Sequence, residues 1–246
     1  MEIKRNQTSI SVGPGAAISS PQSSAPKISV NGKPIQTLGD RSVELVFVID
    51  TTGSMSGRID ALLAMCEQFV IDFAKENIPF RIAIVGFGDL TVEGDKISVS
   101  PFVSDLPTIQ RLLRKLPRTD GGSNAGESSL EALRAAHNLP FKPNSIRAIV
   151  LMTDDLALQH DISAESVINE YLTANCLAFV FSIRTDYYVR LAELTGGSWC
   201  DISSASSLGD IIAALRGIAR TVIKTVDNVL RVSGGDVKQY RQLGKG

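Results

Sequence analysis

From Ser42 onward two kinds of apolar pattern take turns, and that alternation leaves few folds open. "VELVFVI" (43–49), "FRIAIVGF" (80–87), "IRAIVLMT" (146–153) and "CLAFVFSI" (176–183) are nearly unbroken apolar runs. Short runs of this kind, rich in β-branched and aromatic residues, are strands buried on both faces. Between them the apolar residues recur at helical spacing. Ile59, Leu62, Leu63, Cys66, Phe69, Val70 and Phe73 share one face of a helix predicted over 57–76. The same pattern predicts helices over 106–116, 126–138, 165–173 and 187–195, and a last one from Ser207 into the 220s. Ser104 or Asp105 caps the helix at 106, with Pro107 in its first turn.

"KISVSPFV" (96–103) and "SWCDI" (198–202) read as two more strands. Pro101 has no N–H to give to a ladder, so the first of these belongs at an edge. Its short link to the preceding strand makes it antiparallel. Strands that alternate with helices build a mostly parallel sheet covered on both faces. The expected fold class is therefore α/β: Rossmann-like, doubly wound, with a mostly parallel six-stranded sheet and one antiparallel edge strand.

Residues 1–41 differ from the rest. "SVGPGAAISSPQSSAPK" has few large apolar groups to bury against its ordering entropy, and reads as a flexible arm. Asn31-Gly32 inside it predicts a short hairpin. The domain spans 42–232, and 233–246 reads as a C-terminal tail. In "VLRVSGGD" (229–236) a helix ends at glycines.

A net charge of −1 gives no general pull toward nucleic acid or anionic lipid, and neither is expected as a partner. No apolar run is long enough to span a bilayer. Cys66, Cys176 and Cys200 are odd in number and sit in apolar or strand-like surroundings. That argues against a disulfide framework and for a reducing, cytoplasmic location.

In open α/β sheets ligands sit beyond the carboxyl ends of the strands. The first strand runs into Asp50-Thr51-Thr52-Gly53-Ser54, and the fourth into Thr153-Asp154-Asp155. Between them lies "TDGGSNAGE" (119–127). These loops offer carboxylates and hydroxyls, with no lysine, cysteine or histidine. That is a ligand set for a hard cation such as magnesium. Asp50, Thr52 and Ser54 alternate, so an extended turn can bring them to one side. Asp89 and Glu127 read as turn and cap residues, and a plain helix cap is the competing account of the first loop.

These three loops together resemble the von Willebrand factor A (vWA) family and its metal-ion-dependent adhesion site. Asp50, Thr52 and Ser54 match the family's Asp-x-Ser-x-Ser, with Thr for the first Ser. Ser123 in "DGGSN" stands at the family's threonine, and Asp154 in "LMTDD" at its final aspartate. "ELTGGSW" is similar to the stretch before the family's last strand, and the likeness covers 43–225. Ser123 lacks the threonine methyl, with Asn124 a competing ligand, and Asp155 replaces a common glycine. The "DTTGSM" form is similar to bacterial and intracellular members.

The resemblance implies Mg2+ or Mn2+ held by Asp50, Thr52, Ser54, Ser123 and Asp154. It also implies a non-enzymatic protein-binding module whose cation takes an acidic residue of a partner protein. By the same analogy the setting is a bacterial stress or defence system, or an AAA-type ATPase complex. A metal-dependent hydrolase or phosphotransferase, with Asp155 or Asp120 as base, and a metal-free scaffold are the alternatives. The second aspartate of haloacid-dehalogenase-type phosphatases, the Gly-x-Ser-x-Gly elbow and the phosphate-binding Gly-x4-Gly-Lys motif are all missing.

Overall fold

The structure is a computed structural model. It describes residues 29–30, 33–34, 42–58, 61, 64, 68–69, 71–72, 75, 78–119, 121, 126–159, 161–203 and 208–244. Ser123, Asn124, Asp120, Cys66, His160 and most of the expected arm lie outside these residues. The chain divides into two units, Met1–Thr37 and Leu38–Gly246. In the first, β1 (Ser29–Val30) and β2 (Lys33–Pro34) pair antiparallel, Val30 opposite Lys33.

The second unit is built on a six-stranded sheet. Its strands are β3 (Val43–Asp50), β4 (Phe80–Phe87), β5 (Ser98–Val99), β6 (Ile146–Met152), β7 (Cys176–Ser182) and β8 (Trp199–Asp201). They lie in the order β5-β4-β3-β6-β7-β8. β4 pairs antiparallel with β5, and the other pairs are parallel. This is the fold class expected from the sequence. The edge strand is shorter than the apolar run over 96–103. Beyond Val99 one further bridge joins Ile82 to Val103, with Pro101 between the two paired stretches.

Every residue of β3 is buried, which is why its sequence shows no alternation. Leu45, Phe47 and Ile49 face one core and Val46 and Val48 the other. The first core takes side chains from α1 (Leu106–Arg114) and from α5 (Leu208–Ser233), among them Ile109, Val222 and Val226. Residues 61, 64, 68, 69, 71, 72 and 75 are helical, and the Phe69 ring meets Phe47 edge-on at 5.4 Å. The second core takes α2 (Ser129–His137), α3 (Ala164–Thr173) and α4 (Asp186–Thr195).

The helix ends follow local chemistry. Asp105, rather than Ser104, caps α1 by accepting from Thr108 N at 2.9 Å. Thr185 caps α4, and Gly196, with φ +87°, ends it. α5 runs to Ser233 and stops at Gly234 (φ +59°) and Gly235 (φ +89°). The stretch read as a tail then holds one more helix, α6 (Val237–Leu243), capped by Asp236. Arg241 of α6 donates to Leu172 O (3.1 Å) and to Asn175 Oδ1 (2.6 Å), just before β7 begins.

No helix among the described residues is long and apolar enough to cross a membrane. The chain departs from β3 toward β4 and β5 on one side, and returns to β6, β7 and β8 on the other. The strand order therefore reverses between β3 and β6. A crevice at the carboxyl ends of two such strands is where doubly wound sheets take ligands.

Candidate functional site

Asp50 is the last residue of β3, and Ile49 lies opposite Met152 of β6. The residue after each strand end therefore falls beside the other loop. Thr153 Oγ1 donates to Asp50 Oδ2 at 2.8 Å, fully buried. Asp50 Oδ1 accepts from Thr52 N (3.0 Å) and Thr52 Oγ1 (2.6 Å). Thr52 Oγ1 lies 3.2 Å from Ser54 Oγ, which donates to Asp154 Oδ1 at 2.9 Å. Asp50, Thr52, Ser54 and Asp154 thus form one continuous chain of contacts. Of the five metal ligands expected from the sequence, Ser123 lies outside the described residues.

Burial grades along this chain. Asp50 and Thr52 are buried, Asp154 is half-buried and Ser54 is exposed. Burial pushes the Asp50 carboxyl above its ordinary value, Thr52 and Thr153 pull it back, and the nearby Asp154 charge adds to the rise. The turn after Thr52 is a 3₁₀ segment, Gly53–Arg58, rather than the start of a regular α-helix. The hydroxyls of Thr52 and Ser54 both point their protons at carboxylates, which a plain helix cap does not require.

That arrangement suits a hard cation. Each hydroxyl has one proton, and both protons go to carboxylates. The oxygens of Thr52 and Ser54 keep lone pairs that a cation can take. Among the described residues no group of three or more His, Cys, Asp or Glu could hold a metal ion, and the oxygens gathered here belong to two carboxylates and two hydroxyls.

The loop before α2 is tied to this centre. Thr119 N donates to Thr51 O at 3.2 Å, and the two hydroxyls lie 3.1 Å apart. Glu127, read from the sequence as a cap, plays another part. It forms a parallel bridge with Ala157, and Ser128 takes the N-cap position. Its carboxyl is buried, with Oε2 lacking a hydrogen-bond partner among the described residues. Burial first, then the charges of Asp50, Asp89, Asp155 and Asp95, push it up to about 8.

Asp89 is a turn residue, as expected. Its Oδ1 accepts from Thr91 N (2.8 Å) and Thr91 Oγ1 (2.7 Å). Asp155 turns to its own loop, accepting from Leu156 N at 2.7 Å, while its carbonyl takes the Tyr188 hydroxyl at 3.1 Å. Thr153 and Tyr188 are the supporting residues that the sequence reading passed over. The position of Thr153, one step past a buried strand beside the strand bearing Asp50, was the available signal. Nothing local marks Tyr188.

A doubly wound sheet with oxygen-bearing loops gathered at its strand-order reversal defines the class. Residues 45–156 match the family model of the von Willebrand factor type A domain, a span that holds every candidate ligand. Over that span the chain is similar to a vWA domain. Similar solved structures include the pilus adhesin SpaC from Lactobacillus rhamnosus GG in its open conformation, with TM-score 0.54 and 17% identity. That likeness covers 76% of this chain and 31% of SpaC. Proximal thread matrix protein 1 from the mussel byssus, solved with a zinc-occupied MIDAS motif, is similar at TM-score 0.56 and 14% identity. There the cover is 74% of this chain and 46% of that one. The chain thus spans less than half the length of these structural relatives. No curated protein matches the sequence.

Proposed function

We propose that the protein is a metal-dependent protein-binding module, not an enzyme. Thr52 and Ser54 would supply hydroxyl ligands to one divalent cation, Mg2+ or Mn2+. Asp50 and Asp154 would act directly or through water, and Ser123 would join them by the family resemblance. The bound cation supplies a Lewis-acidic centre for a carboxylate of a partner protein. The observation that carries this reading is the unbroken contact chain Asp50–Thr52–Ser54–Asp154. Ligands that carry little charge leave a cation electrophilic, which favours an acidic partner. The zinc-occupied motif in the byssus protein supports divalent metal in this fold.

The free thiols of Cys176 and Cys200 support a reducing, cytoplasmic setting. A bacterial stress or defence system, or an AAA-type ATPase complex, fits that setting by analogy. Crosslinking capture from native extract tests the module directly, run with magnesium, with chelator, and with Asp154→Ala in magnesium. Partners should appear in the first arm alone. The same captured set in all three would sink the proposal.

Glu127 favours the second reading, a metal-dependent hydrolase or phosphotransferase. A buried carboxyl pushed up to about 8 beside Asp50 can exchange a proton near neutral pH. Phosphatase and nucleotidase screens with Mg2+ and Mn2+ separate the two readings.

A further inference from the structure

Two bridges join the β3 loop to the β6 loop, and they differ in kind. The outer one, Ser54 to Asp154, links two candidate ligands, one exposed and the other half-buried. A cation would compete for both of its atoms. The inner one, Thr153 to Asp50, is fully buried. Thr153 has a second contact: its Oγ1 accepts from Asp155 N at 3.2 Å. One hydroxyl thus takes the backbone N–H on the far side of Asp154 and gives its proton to Asp50.

The Asp50 carboxylate has two oxygens with about four acceptor sites. Thr52 fills two at Oδ1, and Thr153 fills one at Oδ2. With Oδ1 committed, Thr153 decides how Oδ2 is held and which way its last lone pair faces. Without that hydroxyl, Oδ2 would lose the one hydrogen-bond partner it has among the described residues, in a fully buried place.

On this basis we infer that Thr153 is a positioning residue of the candidate cation site, locking Asp50 and the Asp154 backbone into one arrangement. The inference rests on the adhesion-site reading and assigns Thr153 no direct contact with the ion. Partners one shell out from a metal's ligands set affinity by holding those ligands in place, and their loss typically costs about 10–100-fold.

The test is Mn2+ affinity of the full chain, by electron paramagnetic resonance of free Mn2+, for the wild type, Thr153→Val and Thr153→Ser. Valine keeps the volume and loses the hydroxyl, while serine keeps the hydroxyl. Thr153→Val should weaken Mn2+ binding at least about tenfold, and Thr153→Ser should restore it to within about threefold of the wild type, since it keeps the hydrogen bond. A merely structural role would lower the Thr153→Val melting temperature in chelator yet leave its Mn2+ affinity unchanged, and that result overturns the inference. Equal weakening in both variants overturns it too, since the methyl and not the hydroxyl would then matter. A wild type that binds no Mn2+ overturns this inference and the adhesion-site reading together, whereas the other two failures leave that reading standing.

Discussion

Ser54 and Asp154 stand 100 residues apart in the chain, yet the Ser54 hydroxyl reaches Asp154 Oδ1 at 2.9 Å. The contact joins the loop after β3 to the loop after β6. Ser54 is exposed, so this hydrogen bond contributes little to the fold. Ser54→Ala should unfold within about 1 kcal/mol of the wild type in chelator. In millimolar Mg2+ or Mn2+ the wild type should gain stability, by roughly 2.7 kcal/mol at a hundredfold excess over the dissociation constant. Ser54→Ala should lose most of that gain. Thermal unfolding with and without metal reads both numbers, and an undiminished gain in the variant excludes Ser54 from the ligand set.

Glu127 makes stability depend on pH in a definite direction. Its carboxyl sits at about 8 in the folded chain, against 4.5 ordinarily. The folded state thus holds this proton more tightly than the unfolded one. That contribution is complete below about pH 4.5 and is lost as pH rises through about 8. In chelator, wild-type stability should fall between about pH 5 and about pH 8, inside that window. Glu127→Gln, neutral throughout, should show a flatter profile. Parallel curves for the two proteins would mean that Glu127 is already ionised in the folded state.

The sheet was legible in the sequence because β3, β6 and β7 are buried on both faces, and such strands advertise themselves as unbroken apolar runs. Asp50, Thr52, Ser54 and Asp154 were legible because hydroxyls and carboxylates gather after those runs. Thr153 and Glu127 were harder. The worth of Thr153 comes from β6 lying next to β3, a neighbour relation between strands far apart in the chain. A glutamate just before a helix looks like a cap, and only tertiary packing shows that Glu127 is turned into the protein. α6 escaped because seven residues are too few for a convincing helical period, and Gly234-Gly235 signals an end.

At the other end of β3, Glu44 is a buried charge with full support. Its Oε1 accepts from Arg81 Nε (2.6 Å) and from Arg81 Nη2, and its Oε2 accepts from Lys142 N (2.6 Å) and Ser145 Oγ (2.8 Å). Removing one partner of such a pair strands the other. Glu44→Ala should cost about 3–5 kcal/mol in chemical denaturation. A loss under 1 kcal/mol would class the cluster with ordinary surface ion pairs.

Tyr188 links α4 to the Asp154 loop. Its buried hydroxyl lies 3.1 Å from Ser129 Oγ and donates to Asp155 O at 3.1 Å. Tyr188→Phe keeps the ring packing and should cost about 1 kcal/mol. A double-mutant cycle with Ser129→Ala should return a coupling of roughly 0.5 kcal/mol or more. Additive losses would show that the two hydroxyls act independently.

α6 has a practical side. Arg241 fastens it to Leu172 and Asn175, at the amino end of β7, whereas Asp50 and Asp154 lie at the carboxyl ends of β3 and β6. A molecule tethered to a sensor surface on the side that carries α6 would therefore stand with its β3 and β6 loops toward the flowing analyte. Coupling through lysines, by contrast, would scatter the orientations. C-terminal attachment is the geometry in which a weak, cation-dependent encounter has the best chance of being seen.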